Sequence, residues 1–202
     1  MTEKTRIIVA SRNPHKVREI GEMLGSRGLE VSGLDEFGDI PEVVEDGDTF
    51  RDNACKKASE TARMLGLPVL ADDSGLEVAA LGGQPGVRSA RYAGESSDDA
   101  RNLLKLLKEM EGVTDRAARF VCVVAVADAG GRIVGTVEGT VEGTLLEEGR
   151  GSGGFGYDPA FVPHGYSKTF AQLPGAEKNR LSHRAAAISA LLRSGLVEGL
   201  LG

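Results

Sequence analysis

Two adjacent carboxylates, Asp72 and Asp73, directly follow a short apolar segment and precede Ser74 and Gly75. Because neighbouring side chains of an extended chain point to opposite faces, the two carboxylates are not expected to reach one ion together. Mg²⁺ usually takes one or two protein carboxylates and completes its shell with waters and substrate phosphates. The pair therefore predicts one carboxylate that binds a metal or acts as a general base, and one that holds the loop. An Asx-type turn that closes the strand is the alternative interpretation.

A cluster of polar and basic residues lies where a short strand is predicted to run into a helix. Asn13 is a favourable N-cap, and Pro14 suits the first helical position. Free N–H groups at a helix N-terminus bind anions, and nearby basic side chains strengthen that attraction. The cluster therefore predicts a phosphate site, with an ordinary capped helix that carries solvated basic residues as the alternative. Its members are Ser11, Arg12, Asn13, Pro14, His15 and Lys16.

A glycine-rich loop at 151–156 formally matches the pattern G-x-G-x-x-G. A dinucleotide-binding loop of this pattern must open a helix, whereas here Tyr157-Asp158-Pro159 leads into an extended apolar stretch. The loop also lacks the Gly-Lys-Ser/Thr ending of a Walker motif. We predict a loop whose backbone approaches a ligand closely, with Phe155 and Tyr157 as candidate stacking rings. A simple mobile turn is the alternative.

Three further polar residues, Lys178, His183 and Arg184, lie near the predicted start of the last helix. Taken singly, each is typical of a surface position. The acidic residues between 35 and 52 are likewise typical of a solvated face. The chain has 3 histidines, and their wide separation does not favour a zinc cluster.

Strand and helix patterns alternate early in the chain and are followed by a hairpin. Apolar runs at 6–11, 29–34 and 68–71 predict strands, and the last of these delivers Asp72 and Asp73 at its carboxyl end. An α/β fold with a mixed sheet follows from this order. The other predicted elements are helices that begin at Pro14, at 49 with Asp48 as its cap, and at 97, a hairpin of 119–128 and 132–145, a strand at 160–162, and a helix at 182–194.

The composition limits the functional classes. The chain has 202 residues, a size typical of one domain, and its formal net charge of −6 argues against a general nucleic-acid-binding face. The absence of Trp leaves few rings for stacking on single strands. Cys55 and Cys122 give no disulfide framework, and no apolar segment is long enough to span a membrane. We expect a cytoplasmic protein without nucleic-acid or membrane partners.

Six motifs in chain order resemble those of the inosine triphosphate pyrophosphatase family, which hydrolyses non-canonical purine nucleoside triphosphates. The resemblance covers nearly the whole chain, from Ile7 to the last helix. The motifs are Ser11-x-Asn13-x-x-Lys16-x-x-Glu19, Glu45-x-Gly47-x-Thr49-Phe50 with Asn53-Ala54-x-x-Lys57-Ala58, Ala71-Asp72-Asp73-Ser74-Gly75-Leu76, Pro85-Gly86-Val87-x-Ser89-Ala90-Arg91-Tyr92-x-Gly94, Gly153-Gly154-Phe155-Gly156-Tyr157-Asp158-Pro159, and Lys178 with Ser182-His183-Arg184.

The resemblance implies a fold and an activity. The fold would be a single α/β domain over residues 1–202, with an elongated mixed β-sheet flanked by helices, similar to the Maf/HAM1 fold, and an active site in a central cleft. The activity would be hydrolysis of XTP, ITP or dITP to the monophosphate and pyrophosphate. Mg²⁺ would be the cofactor, and the protein would be a homodimer.

The same resemblance implies a role for individual residues. Asp73 would be the catalytic proton acceptor and would bind Mg²⁺ together with Glu45. The cluster from Ser11 to Lys16, with Lys57, would hold the triphosphate, and Ser74 would touch the substrate. The base would be surrounded by Phe155, Gly156, Tyr157, Asp158, Lys178, His183 and Arg184.

Base selection and two other functions follow from the same residues. Donors aimed at the C6 oxygen of hypoxanthine or xanthine would face the amino group of adenine without a partner, so adenine would be rejected. A related pyrophosphatase for modified pyrimidines or canonical nucleotides would share the metal chemistry. A non-catalytic nucleotide sensor is the third possibility, and the retained Glu45 and Asp73 argue against it.

Overall fold

The computed structural model describes residues 6–25, 28–94 and 97–197. Within these residues the strands are β1 (Arg6–Val9), β2 (Glu30–Ser32), β3 (Val69–Val78), β4 (Ala117–Ala127), β5 (Ile133–Leu145) and β6 (Phe161–Pro163). They form one sheet in the order β2-β1-β3-β4-β5-β6. β1 is parallel to both β2 and β3, whereas β5 and β6 are antiparallel. The predicted α/β class with a mixed sheet is therefore confirmed.

Five α-helices lie within the described residues. They are α1 (Pro14–Gly25), α2 (Phe50–Leu65), α3 (Asp99–Glu109), α4 (Gly175–Leu181) and α5 (His183–Ser194). Short 3₁₀ helices cover Leu34–Phe37, Ala79–Leu81 and Gly86–Arg91. No helix in this described part of the chain is long and apolar enough to cross a membrane.

The chain forms two compact units, and β3, β4 and β5 each contribute residues to both. Unit 1 has an aliphatic core that includes Leu70, Val124 and Leu191. Unit 2 has an aromatic core in which the ring centroids of Phe120 and Phe161 are 4.7 Å apart. Unit 1 comprises Met1–Asp73, Cys122–Gly139 and Arg184–Gly202, and unit 2 comprises Ser74–Val121 and Thr140–His183.

Local hydrogen bonds fix the ends of α2, which carries several candidate site residues. Thr49 caps its start, because the Thr49 Oγ1 accepts a hydrogen bond of 3.1 Å from the N–H of Asp52. The prediction that Asp48 is the cap was therefore wrong by one residue. At the other end, Gly66 adopts a left-handed conformation with φ 64°, and its N–H donates to the carbonyl of Ala62.

The strand that carries the paired carboxylates differs from its prediction. β3 continues to Val78, so Asp72 and Asp73 lie inside the strand and not at its carboxyl end. Leu76 and Val78 are fully buried in the core of unit 2 and anchor this continuation. The sequence pattern missed it because Gly75 interrupts the apolar run. The helix α4 was also missed, since it is only 7 residues long and its N-cap position is Pro174.

Candidate active site

The ammonium group of Lys57 lies among three oxygen atoms in unit 1. The Lys57 Nζ is 2.6 Å from Oε1 of Glu45 and 2.6 Å from the main-chain oxygen of Asp72. It is 3.8 Å from Oδ1 of Asp73. The helix α2 supplies Lys57, the preceding loop supplies Glu45, and β3 supplies the two aspartates. Sequence positions 45, 57 and 73 therefore meet at one cation.

Asn53 holds the carboxylate of Asp73. The Asn53 Nδ2 donates a hydrogen bond of 3.1 Å to Oδ2 of Asp73, and the Asn53 side chain is buried. The Asn53 Oδ1 accepts a hydrogen bond of 2.8 Å from the N–H of Gly47. A Cβ at Gly47 would lie only 2.8 Å from that same oxygen, so a side chain does not fit there. One amide thus links the loop that carries Glu45 to Asp73.

The two aspartates have different electrostatic surroundings. Burial raises the pKa of Asp73, although the cations Lys57 and Lys16 act in the opposite direction. Burial alone would raise the pKa of Asp72 as well, but Lys16, Arg184 and Lys57 hold it well below its usual range. Asp72 is therefore a permanent anion, while Asp73 is the more basic carboxylate of the pair.

The Asp72 side chain takes part in a buried network of ion pairs. Its Oδ2 is 3.2 Å from Nζ of Lys16 and 3.3 Å from Nη2 of Arg184. The Nη1 of Arg184 pairs with Oε2 of Glu19. These contacts differ from the Asn53 contact of Asp73. The two neighbouring side chains thus contact different partners, as an extended chain favours. A metal-binding or basic role for one of them, and support of the loop by the other, stay predictions.

The start of α1 is capped as predicted, with a consequence for anion binding. The Asn13 Oδ1 accepts hydrogen bonds from the N–H groups of His15 and Lys16, at 2.9 and 3.4 Å. The N–H of Val17 donates to the main-chain oxygen of Asn13. Since Pro14 has no N–H, the expectation of free amides at this helix start was wrong. Any phosphate contact here falls to side chains, above all Lys16.

The remaining members of the predicted phosphate cluster lie nearer the surface. The Arg12 side chain is exposed and donates a hydrogen bond of 2.7 Å to the carbonyl of Ile40. His15 is also exposed, and its Nδ1 is 3.2 Å from Nη2 of Arg18. The Ser11 Oγ accepts a hydrogen bond of 3.1 Å from the N–H of Asn13. These residues shape the turn into α1.

In unit 2, a second cluster forms around the buried carboxylate of Asp158. Its Oδ2 accepts hydrogen bonds from Nζ of Lys178 at 2.7 Å and from the N–H of Phe155 at 2.9 Å. The Lys178 Nζ also lies 4.5 Å from the centroid of the Phe155 ring, a cation–π distance. Gly154 has a φ of +71°, and a Cβ there would lie 2.1 Å from Oδ2 of Asp158. The glycine-rich loop therefore packs closely against Asp158 and is hydrogen-bonded to it.

The other residues predicted near a base have different positions in unit 2. The Tyr157 ring is buried in the core, and its hydroxyl donates a hydrogen bond of 2.8 Å to the carbonyl of Ser89. Phe155 is only half-buried, so it is the better placed of the two candidate stacking rings. The His183 ring stacks on Phe120, with centroids 4.8 Å apart and planes 12° apart. The N–H of Gly156 donates a hydrogen bond to Oδ2 of Asp99. Ser74, the residue after Asp73 in β3, is half-buried.

The predicted site residues thus fall into two sets. Unit 1 brings together Lys16, Glu45, Lys57 and Asp73 around the charged network. Unit 2 brings together Phe155, Asp158 and Lys178. Arg184, which the resemblance grouped with the base-binding residues, belongs to unit 1 and contacts Asp72 and Glu19.

Two carboxylates of unit 1 are candidate ligands for a metal ion. In the part of the chain that the structure describes, no three His, Cys, Asp or Glu side chains are grouped closely enough to hold a metal ion by themselves. Glu45 and Asp73, however, both approach the Lys57 Nζ, so two carboxylates converge on one cation. Two protein carboxylates suit Mg²⁺ when substrate phosphates and waters complete the shell.

Sequence reasoning assigned no role to several residues that hold the site. Glu19 is a buried acid three residues after Lys16, and Asn53 is a buried amide among the apolar positions of α2. A charged or amide side chain on the apolar face of a helix is a signal for a buried polar contact. Gly47 and Phe120 gave no such signal, because their roles depend on contacts with residues distant in the fold.

Comparisons with known proteins agree on one family. The sequence model of the Ham1 family matches residues 7–194. A protein from Syntrophobacter fumaroxidans named dITP/XTP pyrophosphatase is 54% identical over 191 residues, which are 95% of this chain and 82% of that protein. The solved Ham1 protein of Staphylococcus aureus has a TM-score of 0.83 and 40% identity, with 96% of this chain and 99% of that chain covered. A HAM1 protein from Coxiella burnetii has a TM-score of 0.84 and 40% identity, with 93% of this chain and 96% of that chain covered.

Proposed function

Since the chain belongs to the Ham1 family, we propose that it is a pyrophosphatase that hydrolyses dITP, XTP and ITP to the monophosphate and pyrophosphate. Such an enzyme removes non-canonical purine nucleotides from the nucleotide pool. The similar proteins named dITP/XTP pyrophosphatase support this substrate class. The observation that carries the proposal is the convergence of Glu45 and Asp73 on the Lys57 ammonium group, with Asn53 bonded to the Asp73 carboxylate.

In the proposed reaction, the oxygen of a water molecule attacks the α-phosphorus of the substrate while a proton of that water passes to Asp73. The bond between the α-phosphorus and the oxygen that bridges it to the β-phosphorus breaks, and pyrophosphate leaves. Burial raises the pKa of Asp73, which makes it a better proton acceptor than an exposed aspartate. Asn53 fixes the orientation of the carboxylate by donating a hydrogen bond to Oδ2. The Lys57 Nζ lies 3.8 Å from Oδ1 of Asp73 and stabilises negative charge on the phosphate under attack.

We propose that Glu45 and Asp73 hold a Mg²⁺ ion, because their carboxylates already converge on one cation. When bound, Mg²⁺ would neutralise charge that develops on the departing pyrophosphate. The balance of charges in this cluster of unit 1 supports the need for a metal ion. Lys16, Lys57 and Arg184 carry three positive charges, while Glu19, Glu45, Asp72 and Asp73 carry four negative charges. A polyanionic triphosphate therefore needs added positive charge to bind here.

The proposed contacts divide by the part of the substrate that they bind. Lys16 and Lys57 bind the triphosphate, with the turn from Ser11 to His15 shaping its surroundings. Ser74, the loop from Phe155 to Asp158, Lys178, His183 and Arg184 contact the nucleoside. Asp158 fixes Lys178 and the Phe155 N–H. Phe155 stacks on the base, and the Lys178 ammonium donates to its C6 oxygen, a contact that the amino group of adenine does not accept.

We also propose that the enzyme acts in the cytoplasm as a homodimer. Two free cysteines, the half-buried Cys55 and the buried Cys122, are compatible with a reducing compartment. The homodimer is proposed from the family resemblance alone. Sedimentation equilibrium at several protein concentrations tests it, and a single species at 21.2 kDa would contradict it.

The reaction is tested by pyrophosphate release from ITP, XTP, dITP, GTP, ATP and dUTP, with Mg²⁺ and with EDTA. We expect release from the first three nucleotides only, and only with Mg²⁺. Preferential release from dUTP, GTP or ATP would instead favour a related pyrophosphatase. Nucleotide binding without release from any substrate would favour a non-catalytic sensor.

A further inference from the structure

Phe155, Gly156 and Tyr157 are consecutive in the chain, and three different groups of unit 2 hold them. The N–H of Phe155 donates a hydrogen bond of 2.9 Å to Oδ2 of Asp158. The N–H of Gly156 donates a bond of 2.8 Å to Oδ2 of Asp99, which lies in the first turn of α3. The Tyr157 hydroxyl donates to a main-chain carbonyl. Asp99 therefore bonds the residue that directly follows the proposed stacking ring.

Asp158 and Asp99 together hold the two peptide groups that flank the Cα of Phe155. The Phe155 N–H belongs to the peptide group before this Cα, and the Gly156 N–H belongs to the one after it. Because each peptide group is planar, only φ and ψ of Phe155 relate the two groups. Holding both groups therefore restricts φ and ψ, and with them the direction in which the half-buried Phe155 side chain leaves the main chain.

The Gly156 position obtains little restraint from packing. Its φ is +60°, and among the described residues no atom beyond its chain neighbours lies within 4 Å of its Cβ position. Glycine also loses more conformational freedom on folding than any other residue. The hydrogen bond to Asp99 therefore supplies a restraint that the side chains around Gly156 do not supply.

The neighbouring Asp98 has a different role, although both aspartates suit a helix start in the sequence. Asp98 is the N-cap of α3, because its Oδ1 accepts a hydrogen bond of 3.0 Å from the N–H of Arg101. Asp99 is bonded to a main-chain group 57 residues away along the chain. Asp98 therefore stabilises its own helix, and Asp99 connects that helix to the glycine-rich loop.

We infer that Asp99 is a positioning residue for nucleotide binding, which keeps the Phe155 ring in place for the base by holding the N–H of Gly156. This inference rests on the proposed function, in which Phe155 stacks on the base. Asp158 already aligns Lys178 with the ring, since the Lys178 Nζ lies 4.5 Å from its centroid. Asp99 adds the restraint on the opposite side of the Phe155 Cα.

The kinetic test compares Asp99→Ala, Asp99→Asn and Asp98→Ala. We expect Asp99→Ala to raise KM for ITP about fivefold, the effect of one lost hydrogen bond, with kcat within about twofold of wild type. Its affinity for inorganic tripolyphosphate with Mg²⁺, measured by calorimetry, should not change, because this ligand has no base. Asp99→Asn retains an acceptor oxygen, so its KM should stay within about twofold of wild type.

Asp98→Ala is the matched control, since it makes the same substitution at the adjacent residue and removes the cap of α3. Its melting temperature should fall at least as much as that of Asp99→Ala in circular dichroism melts, while its KM for ITP stays within about twofold of wild type. A second measurement follows the loop without catalysis. The exchange of the Gly156 amide with water, measured by NMR without nucleotide, should be faster in Asp99→Ala than in wild type or Asp98→Ala.

Several results would overturn the inference. They are a normal KM for ITP or a normal Gly156 exchange rate in Asp99→Ala, an equal rise in KM in Asp98→Ala or Asp99→Asn, and weaker tripolyphosphate binding in Asp99→Ala. The failure of the proposed function gives a different result, because a wild-type protein that releases no pyrophosphate from any nucleotide refutes the reaction. Calorimetric affinities of the same variants for ITP and tripolyphosphate, with the Gly156 exchange rates, still decide the role of Asp99.

Discussion

Replacing Asn53 with alanine tests whether Asp73 must be held from the side of α2. The change removes two buried hydrogen bonds at once. One is the 3.1 Å bond from the Asn53 Nδ2 to Oδ2 of Asp73, and the other is the 2.8 Å bond from the N–H of Gly47 to the Asn53 Oδ1. No group of alanine replaces either partner. We therefore expect a loss of both stability and turnover.

The stability loss follows from the two partners that are left behind. A buried polar group that loses its hydrogen bond costs about 1–3 kcal/mol, and a charged group costs more. The Gly47 N–H and the Asp73 carboxylate together predict a loss of about 3–5 kcal/mol in the free energy of unfolding. The turnover loss follows from orientation, because a displacement of about 1 Å in a reacting group lowers rates by about 10²-fold.

Asn102→Ala is the control that separates these two effects. Asn102 is a buried asparagine of α3 in unit 2, with two hydrogen bonds of similar length. Its Oδ1 accepts a bond of 2.7 Å from the N–H of Ala93, and its Nδ2 donates a bond of 2.9 Å to the carbonyl of Ala90. We expect Asn102→Ala to lose stability as Asn53→Ala does, while its kcat stays within about twofold of wild type.

The assay combines urea unfolding, followed by circular dichroism because the chain has no Trp, with kcat for ITP at saturating Mg²⁺. Gly47→Ala adds a second perturbation, since its Cβ would lie 2.8 Å from the Asn53 Oδ1 and 2.8 Å from the Asp52 Cβ. We expect Gly47→Ala to lower kcat, as Asn53→Ala does. Equal kcat values for Asn53→Ala and Asn102→Ala would refute the positioning of Asp73 by Asn53.

Three other substitutions test the roles of single groups. Asp73→Asn should abolish pyrophosphate release from ITP with an unchanged melting curve, and near-normal activity would contradict its role as proton acceptor. Lys16→Ala should raise KM about equally for ITP, XTP and dITP, whereas a loss confined to ITP would contradict a phosphate contact. Gly154→Ala should raise KM for ITP, because its Cβ would lie 2.1 Å from Oδ2 of Asp158. Gly165→Ala is the control, because Gly165 has a similar positive φ but open space around it, so this change introduces backbone strain alone. An equal rise in KM for both variants would exclude a role for Asp158.

The sequence sufficed for features that depend on neighbouring residues. Alternation along an extended chain predicted that the side chains of Asp72 and Asp73 point to opposite faces, and their contacts with Arg184 and Asn53 fit that geometry. Capping preferences predicted Asn13 at the start of α1. Each of these results needs only the local backbone geometry.

Features that depend on distant contacts could not be predicted in the same way. Gly75 breaks the apolar run locally, yet β3 continues because Leu76 and Val78 pack into the core of unit 2. Arg184 is typical of an exposed helix start in the sequence, yet carboxylates at positions 19 and 72 hold it buried. The contacts of Arg184 with Glu19 and Asp72 cannot be predicted from residue spacing, since both partners are more than 100 residues from Arg184 along the chain.

The charges of unit 1 change how an acidic protein can bind a polyanion. Lysines at positions 16 and 57 are the cations that the sequence offers for a triphosphate, but each already has carboxylate partners in the folded chain. Binding phosphate by these lysines alone would leave Asp72, Glu45 and Asp73 with weaker partners, at a cost that grows with burial. Under the proposed function, a divalent cation that arrives with the substrate would avoid this cost, because it would become the partner of Glu45 and Asp73 and would leave Lys57 for the phosphates. The lysines and the acidic residues therefore act together, and a lysine-only phosphate site is not consistent with the ion pairs of this fold.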